Sequence, residues 1–331
     1  MQDHSAAGAG RPANPAPEAP GGVAAAVSVT GTLAAGLILA AMATIALVDN
    51  WVRMVTPEMG LWQYQVIRAA MCIALLLAVA LGMGWRLRPV RAWAVWLRSA
   101  VASLAVVLYF GALAVMTINQ AGAGLFTAPV FVLVISVLAF RLKVGPVRSL
   151  AVAVGFAGVL VVLRPFGGAD GGIALWAAGI AVAAGFLHAS GAVLTRQLCA
   201  EEPTAAMTLI HFTAMGLWGL LGMAAVALIA PEAPPGADGW FLRGAVWPSA
   251  HALFWIFVNA LGSVVAMALV IRAYQIAEAS RITVFEYGFL PFAALWAFLL
   301  FAEIPDLPTL AGTALIIAAG VLIVLRSNRS R

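Results

Sequence analysis

The groups that could do chemistry in this sequence are a few ionisable side chains set inside long apolar runs. Asp49 and Arg53 lie four residues apart, a spacing that puts both on one face of a helix. Arg68 follows in the next apolar run, roughly 12 Å below its outer end at about 1.5 Å of rise per residue. The loop between the two runs is short, so they must be neighbours and Asp49 can neutralise Arg68. Two readings stay open for this pair: an ion pair that holds two helices together, or an Arg68 that binds an anionic group of a cargo while Asp49 holds it ready. A guanidinium suits the second role because it stays charged and grips carboxylate or phosphate with two hydrogen bonds. An ionised side chain at the centre of a membrane helix costs about 2.5–3.5 kcal/mol on insertion scales, so such residues tend to be paired and functional.

Glu286 is the next candidate, five residues before Pro291. Proline has no N–H, so Pro291 should free the carbonyl of Tyr287, and Pro129 that of Leu125. Glu286, Tyr287 and a free carbonyl would make a polar spot in an apolar run. A carboxyl buried there can exchange a proton near neutral pH, which suits proton coupling, with Asp49 as the second candidate coupling group. The alternative is a structural partner for Arg281 or Arg272. Asn119, Gln120, Tyr109, Asn259, Ser263 and Tyr274 would add polar groups to a cargo-binding cavity, although each alone can be an interhelical hydrogen bond. Asn119, Tyr274 and Tyr287 join Asp49, Arg68 and Glu286 in the expected binding set. His188, His211 and His251 stand one per run without fixed spacing, as a shared metal or relay site or as three unrelated residues. Cys72 and Cys199 fit no disulfide or metal spacing. There is no HExxH, GxSxG or GxxxxGK[ST]. No catalytic residue, cofactor or metal is therefore assigned, and an ATP-driven pump is disfavoured relative to a gradient-driven carrier.

These residues are carried by a chain that is 64% hydrophobic and only 9% charged, with mean hydropathy +1.03. A soluble domain has about 25% charged residues, so this is a membrane protein. About 20 apolar residues cross the hydrocarbon, and breaks in hydropathy give ten spans, near 32–54, 59–83, 94–115, 119–140, 147–164, 173–195, 205–229, 250–273, 280–302 and 308–326. The first 29 residues are Ala/Pro/Gly-rich at their start and read as a disordered tail rather than a cleavable signal. Most of the 18 Lys and Arg residues, including Arg86, Arg88, Arg91, Arg98, Arg141 and Lys143, gather on one side if the N-terminus is cytoplasmic, which places both termini inside. The pI near 9.9 is thus a topology signal and not a nucleic-acid patch. Trp51, Trp62, Trp85, Trp93, Trp240 and Trp247 fall near span ends and read as an interfacial belt.

The octapeptide AGVLVVLR at 157–164 returns as AGVLIVLR at 319–326, and the same register superposes Pro129 on Pro291 and Pro146 on Pro308. That is the mark of a duplication. With five spans in each half, the second half enters from the opposite side, so the repeats are inverted.

These residues resemble a known family. GFAGVLVVLRP at the end of the fifth span and GTALIIAAGVLIVLR in the tenth resemble the EamA family of the drug/metabolite transporter superfamily. ALVDNWVRMVTPEMGLWQYQVIRAA and TVFEYGFLPFAALWAFLLFAEIPDLPTLAG resemble its branch of S-adenosylmethionine and riboflavin importers. The fourth span ends Phe140-Arg141 where the family has Gly-Glu; the second half keeps the acid as Glu303. The resemblance implies a cavity lined by spans one to four and six to nine, with spans five and ten bracing or dimerising the bundle.

The expected fold is an all-α membrane protein of ten transmembrane helices in two inverted five-helix repeats. The units are a cytoplasmic tail at 1–29, repeats at 30–165 and 172–326, and a tail at 327–331. The expected function is secondary transport of a small organic metabolite by alternating access in the cell inner membrane, with proton coupling as an option. Export of amino acids or toxic compounds is the alternative within transport; a membrane-embedded enzyme or lipid-handling protein is the alternative of another class. Expected partners are the small-molecule substrate, membrane lipids and, as a candidate assembly, a second copy of the chain.

Overall fold

The structure, a computed structural model, describes residues 20–113, 116, 118–125, 127–139, 141, 145–163, 175–229 and 231–327. The described residues contain helices and no strand. In hydrocarbon each backbone N–H and C=O must be satisfied within its own segment, and apolar runs of this length meet that demand as helices. They are α1 (Pro20–Asp49), α2 (Leu61–Met83), α3 (Ala92–Ala112), α4 (Ile118–Leu125), α5 (Ala128–Leu138), α6 (Pro146–Leu163), α7 (Leu175–Leu198), α8 (Thr204–Ile229), α9 (Ala250–Ile276), α10 (Ala279–Ile282), α11 (Phe289–Phe301) and α12 (Leu307–Ser327). Six stretches, at Thr30–Met54, Leu61–Met83, Ala92–Ala112, Ala177–Leu198, Thr204–Ile229 and Ala250–Ile276, are long and apolar enough to cross a membrane by length and composition. Shorter apolar helices at Ala128–Leu138, Ser149–Val162, Phe285–Phe301 and Leu307–Ala319 accompany them. This is a multi-pass membrane protein.

α1 begins at Pro20, so residues 20–29, expected in the disordered tail, are helical. Proline is well placed in a first turn, where its missing N–H is no loss. Residues 1–19 and 328–331 lie outside the described residues.

Two apolar runs are interrupted near their prolines. The first breaks between α4 and α5, where the Thr127 hydroxyl and N–H both donate to the Gly124 carbonyl, at 2.8 and 3.2 Å. The second is a tight 3-10 turn, Thr283–Gly288, between α10 and α11. The Tyr287 carbonyl, expected to be free, is met by the N–H of Phe289, because the chain ahead of Pro291 curls back in that turn. At the first break, Gly185 of α7 lets the helices close: a Cβ there would stand 2.8 Å from the Gly124 carbonyl oxygen and 3.0 Å from that of Leu125.

Each long helix of the first part packs along one of the second: α1 on α9, α2 on α8, α3 on α7, and α6 on α12. Small residues permit these approaches, as lipid-embedded helices require. A Cβ on Gly312 would come within 2.6 Å of the Gly158 carbonyl. The segment between α8 and α9 folds over the ends of α2 and α3. Trp240, expected in an interfacial belt, is instead fully buried, donating to the Phe110 carbonyl at 2.9 Å, because the last carbonyls of α3 lack helical partners.

Candidate functional site

Asp49 is the last residue of α1, beyond which the chain tightens into a 3-10 turn, Asn50–Met54. The Tyr109 hydroxyl of α3 donates to its Oδ2 at 3.1 Å, and Asn259 Nδ2 of α9 lies 3.4 Å from its Oδ1. The same Nδ2 donates to the Val48 carbonyl at 3.0 Å. Gly262, one turn further along α9, makes that reach available: a Cβ there would collide with Val48. Arg68 does not form the expected direct ion pair with Asp49. Its Nη1 points to Asn259 Oδ1 at 3.4 Å and its Nη2 to Met215 Sδ at 3.1 Å, so the asparagine stands between the two charges. The guanidinium also lies over the Phe110 ring, 4.5 Å from its centroid, and its Nε has no partner. Asn259 of α9 and the Phe110 ring of α3 thus take up the guanidinium that the loop length alone would bring against Asp49. Arg53 leaves the group altogether: the 3-10 turn rotates it off the Asp49 face, and it pairs with Glu303 at 2.5 Å and stacks on Phe301.

Glu286 sits in the 3-10 turn ahead of α11, with no exposure to solvent. Arg272 is not among its partners. Tyr274 Oη donates to Oε1 at 2.7 Å, His188 Nε2 lies 3.0 and 3.2 Å from the two oxygens, and Thr283 Oγ1 is 3.4 Å from Oε2. Arg272 is exposed on the opposite face of α9, and the Arg281 side chain lies outside the described residues. Tyr287 turns away from this group and packs its ring on Gly155 of α6, its hydroxyl without a partner. Asn119 belongs to α4, and its side chain, like that of Gln120, lies outside the described residues.

The three histidines form no common site. His188 belongs to Glu286, His251 meets Glu58 at 2.8 Å, and His211 has both ring nitrogens buried without a partner. Among the described residues no three His, Cys, Asp or Glu side chains group as a metal site. The carboxyl of Glu58 is held below the usual range by hydrogen bonds from Ser249 and His251.

One cavity of about 90 Å³ joins these groups; Asp49, Arg68, Tyr109, His188, His211 and Tyr274 lie in its wall, and Glu286 stands directly behind His188 and Tyr274. The wall is drawn from α1–α4, α7–α9 and α11, and among the described residues none of α6 or α12 lines it. Arg98 also lines it. Counted above as a charge on the inner side, Arg98 is in fact buried in α3, because it continues a stripe of small residues, Ala94 and Ala102, that faces α7. That stripe was the available signal. For His188 the corresponding sign was the Gly191–Ala192–Thr195 face of α7.

A bundle of apolar helices around a mainly apolar chamber, into which a few cationic, anionic and aromatic side chains reach, fits a membrane transporter of small metabolites. Comparison with known proteins narrows this. Residues 175–325 match the EamA-like transporter family. A riboflavin transporter of Rhizobium johnstonii is 26% identical over 306 residues, 91% of this chain and 93% of that protein. Riboflavin transporters of Brucella anthropi (26% identical, 70% of this chain and 76% of that protein) and Vibrio cholerae (27%, 67% of each) are also similar. A solved crystal structure shares the fold, with a TM-score of 0.68 at 18% identity over 93% of this chain and 99% of that one. Residues 175–325 are thus similar to the EamA-like transporter family and the chain as a whole to riboflavin transporters, likenesses that point to a transporter rather than an enzyme.

Proposed function

We propose that this protein is a secondary transporter of a flavin-like metabolite, working by alternating access between two inverted repeats, 30–165 and 172–326, with both termini on the cytoplasmic side of the inner membrane. The observation that carries the reading is the cavity, to which both halves contribute helices and buried polar groups. Exchange of the halves leaves the packing pattern unchanged: α1 on α9 becomes α7 on α3, and α2 on α8 and α6 on α12 map onto themselves. Tyr109 near the end of α3 and Tyr274 near the end of α9 each donate to a buried carboxylate, Asp49 and Glu286. The two broken runs at Pro129 and Pro291 also correspond, and interrupted helices are where inverted-repeat carriers bind cargo.

In this reading Arg68, loosely held by an amide and a thioether, receives a polar group of the cargo, and Asn259 keeps it aligned with Asp49. Glu286 carries the coupling proton, exchanging it through His188 or Tyr274, with Asp49 as the second coupling group. Ligand pockets for drug-sized molecules are about 300–1,000 Å³, far larger than the 90 Å³ found here. The walls must therefore part to admit cargo, as alternating access requires. α6 and α12, absent from the wall, brace the bundle or pair it with a second copy.

The test is uptake of radiolabelled riboflavin into proteoliposomes, with pH and substrate gradients imposed in both directions. Saturable uptake that is driven by a pH gradient, and weakened in Arg68→Lys, is the expected result. Uptake equal to that of empty liposomes under every gradient, by protein shown to be folded, would overturn the flavin reading.

A further inference from the structure

Arg98 is a buried charge that the cycle outlined above does not use. It is 3% exposed, in the cavity wall. Its Nε donates to Thr195 Oγ1 at 2.8 Å, and that hydroxyl's own hydrogen goes to the Gly191 carbonyl at 2.7 Å. Its Nη1 is buried without an acceptor, and among the described residues no carboxylate pairs with it. Arg68 is better provided for, with Asn259, Met215, an aromatic face and Asp49 nearby. Glu286 is already committed to His188, Tyr274 and Thr283 and does not reach Arg98.

The two guanidiniums are well apart. Arg98 precedes Tyr109, the partner of Asp49, by three turns of α3, roughly 16 Å along the axis. His211 lies within electrostatic reach of both arginines, and its unpartnered ring nitrogens also line the cavity. A guanidinium presents five donors in a planar fork, and here one of them has an acceptor. An uncharged cargo would leave the rest of the fork unmet in a low-dielectric chamber, which is the least favourable state for a buried charge.

We propose that the cavity is a site for an organic anion, whose phosphate or carboxylate seats on the Arg98 fork beside His211 while its body extends toward Arg68. This rests on the reading that the cavity holds the cargo, and it adds the charge of that cargo. Two hydrogen bonds from one fork would fix the anion's orientation, and His211 would supply a third contact from the α8 side.

The experiment compares riboflavin with its 5′-phosphate ester, a matched neutral and anionic pair, on purified protein in phosphatidylcholine nanodiscs, so that no anionic lipid competes. Affinity is read from quenching of flavin fluorescence. The wild type is expected to bind the ester at least tenfold more tightly. Arg98→Gln should lower ester affinity at least tenfold more than riboflavin affinity, with Arg98→Lys restoring part of the difference. If Arg98→Gln does not fold, the wild-type ratio decides alone: equal or weaker binding of the ester overturns the proposal. Binding and uptake of riboflavin with exclusion of the ester overturns this proposal and leaves the transport reading standing. Binding of neither flavin overturns both.

Discussion

Replacing Glu286 by Gln tests the coupling role with little change of shape. Gln keeps an oxygen that can accept from Tyr274 Oη, now 2.7 Å from Oε1. Its amide would face His188 Nε2, which lies 3.2 Å from Oε2. Neutral imidazole can take the other tautomer and accept there, so the site re-pairs. The loss is that of exchanging a charge-assisted bond for a neutral one, about 1 kcal/mol, which a folded bundle tolerates. The functional consequence is larger. One proton moved down a one-unit pH gradient is worth about 1.4 kcal/mol, or, with the membrane potential clamped at zero, tenfold accumulation of the cargo carried with it. In proteoliposomes, wild type should therefore approach tenfold accumulation per pH unit, while Glu286→Gln should equilibrate without accumulating. Counterflow exchange of labelled against unlabelled cargo needs no net proton movement, so it should survive in the variant. Tenfold accumulation by Glu286→Gln would refute the reasoning, leave Glu286 as an interhelical contact and move the search for the coupling group to Asp49. Loss of exchange as well would indicate that the carboxylate touches the cargo itself.

Asn259→Leu removes the group between Asp49 and Arg68 together with the 3.0 Å bond to the Val48 carbonyl; it should cost about 1–2 kcal/mol of thermal stability and raise KM more than it lowers maximal rate, whereas an unchanged KM would separate this cluster from cargo binding. Gly312→Val would thrust side-chain atoms at the backbone carbonyl of Gly158 and should destabilise the α6–α12 contact by about 1–3 kcal/mol, read as a lower midpoint in a thermal shift assay; Gly179→Ala, with nothing within 4 Å of an added Cβ, should leave it unmoved. Glu58, exposed near the start of α2, has its carboxyl depressed below 4.5, first by the Ser249 hydroxyl and then by His251. A depressed acid stabilises the fold above its unfolded pKa and loses that contribution as pH falls through the folded value. Wild type and Glu58→Gln should therefore differ in thermal midpoint at neutral pH and converge as pH falls through the lowered folded value of Glu58; a difference that persists in acid would contradict the assignment.

The positions of the helices were legible in the sequence because hydrocarbon leaves a chain few choices. Apolar runs bounded by Arg-Pro, Gly-Pro and Pro-rich segments had to be helices, and each of the ten expected runs holds helical segments, although the first helix starts at Pro20, twelve residues ahead of its expected span, and the fourth and ninth runs are broken. Burial was legible too. Asp49, Arg68 and Glu286 were singled out by the cost of placing a charge in hydrocarbon, and all three are buried. What the sequence hid was rotation about each helix axis. In water an apolar stripe identifies the packed face, but a helix in lipid is apolar on its lipid face and on its packed face alike. Without that contrast, Arg98 read as an inner-surface charge, His188 as a lone histidine, and Tyr287 as a neighbour of Glu286 in space as well as in sequence.

The partners of the two buried carboxylates show why pairwise reasoning along the chain falls short. Asp49 is met from α3 and α9, and Glu286 from α7, α9 and its own turn. Of the interhelical contacts only Tyr274–Glu286 links runs adjacent in sequence, whereas the sequence argument had paired Asp49 with Arg68 across the shortest loop. Short loops fix which helices are neighbours at one end; they do not fix which side chains meet along the full length. α9 supplies a partner to each carboxylate, Asn259 to one and Tyr274 to the other, about four turns or roughly 22 Å apart along the helix. A rotation or tilt of α9 would therefore alter the hydrogen bonding of both acids at once. In the proposed cycle α9, with Asn259 in the Arg68 cluster and Tyr274 in the Glu286 cluster, would be the physical link between cargo and proton, a link that shows only when the helices are assembled.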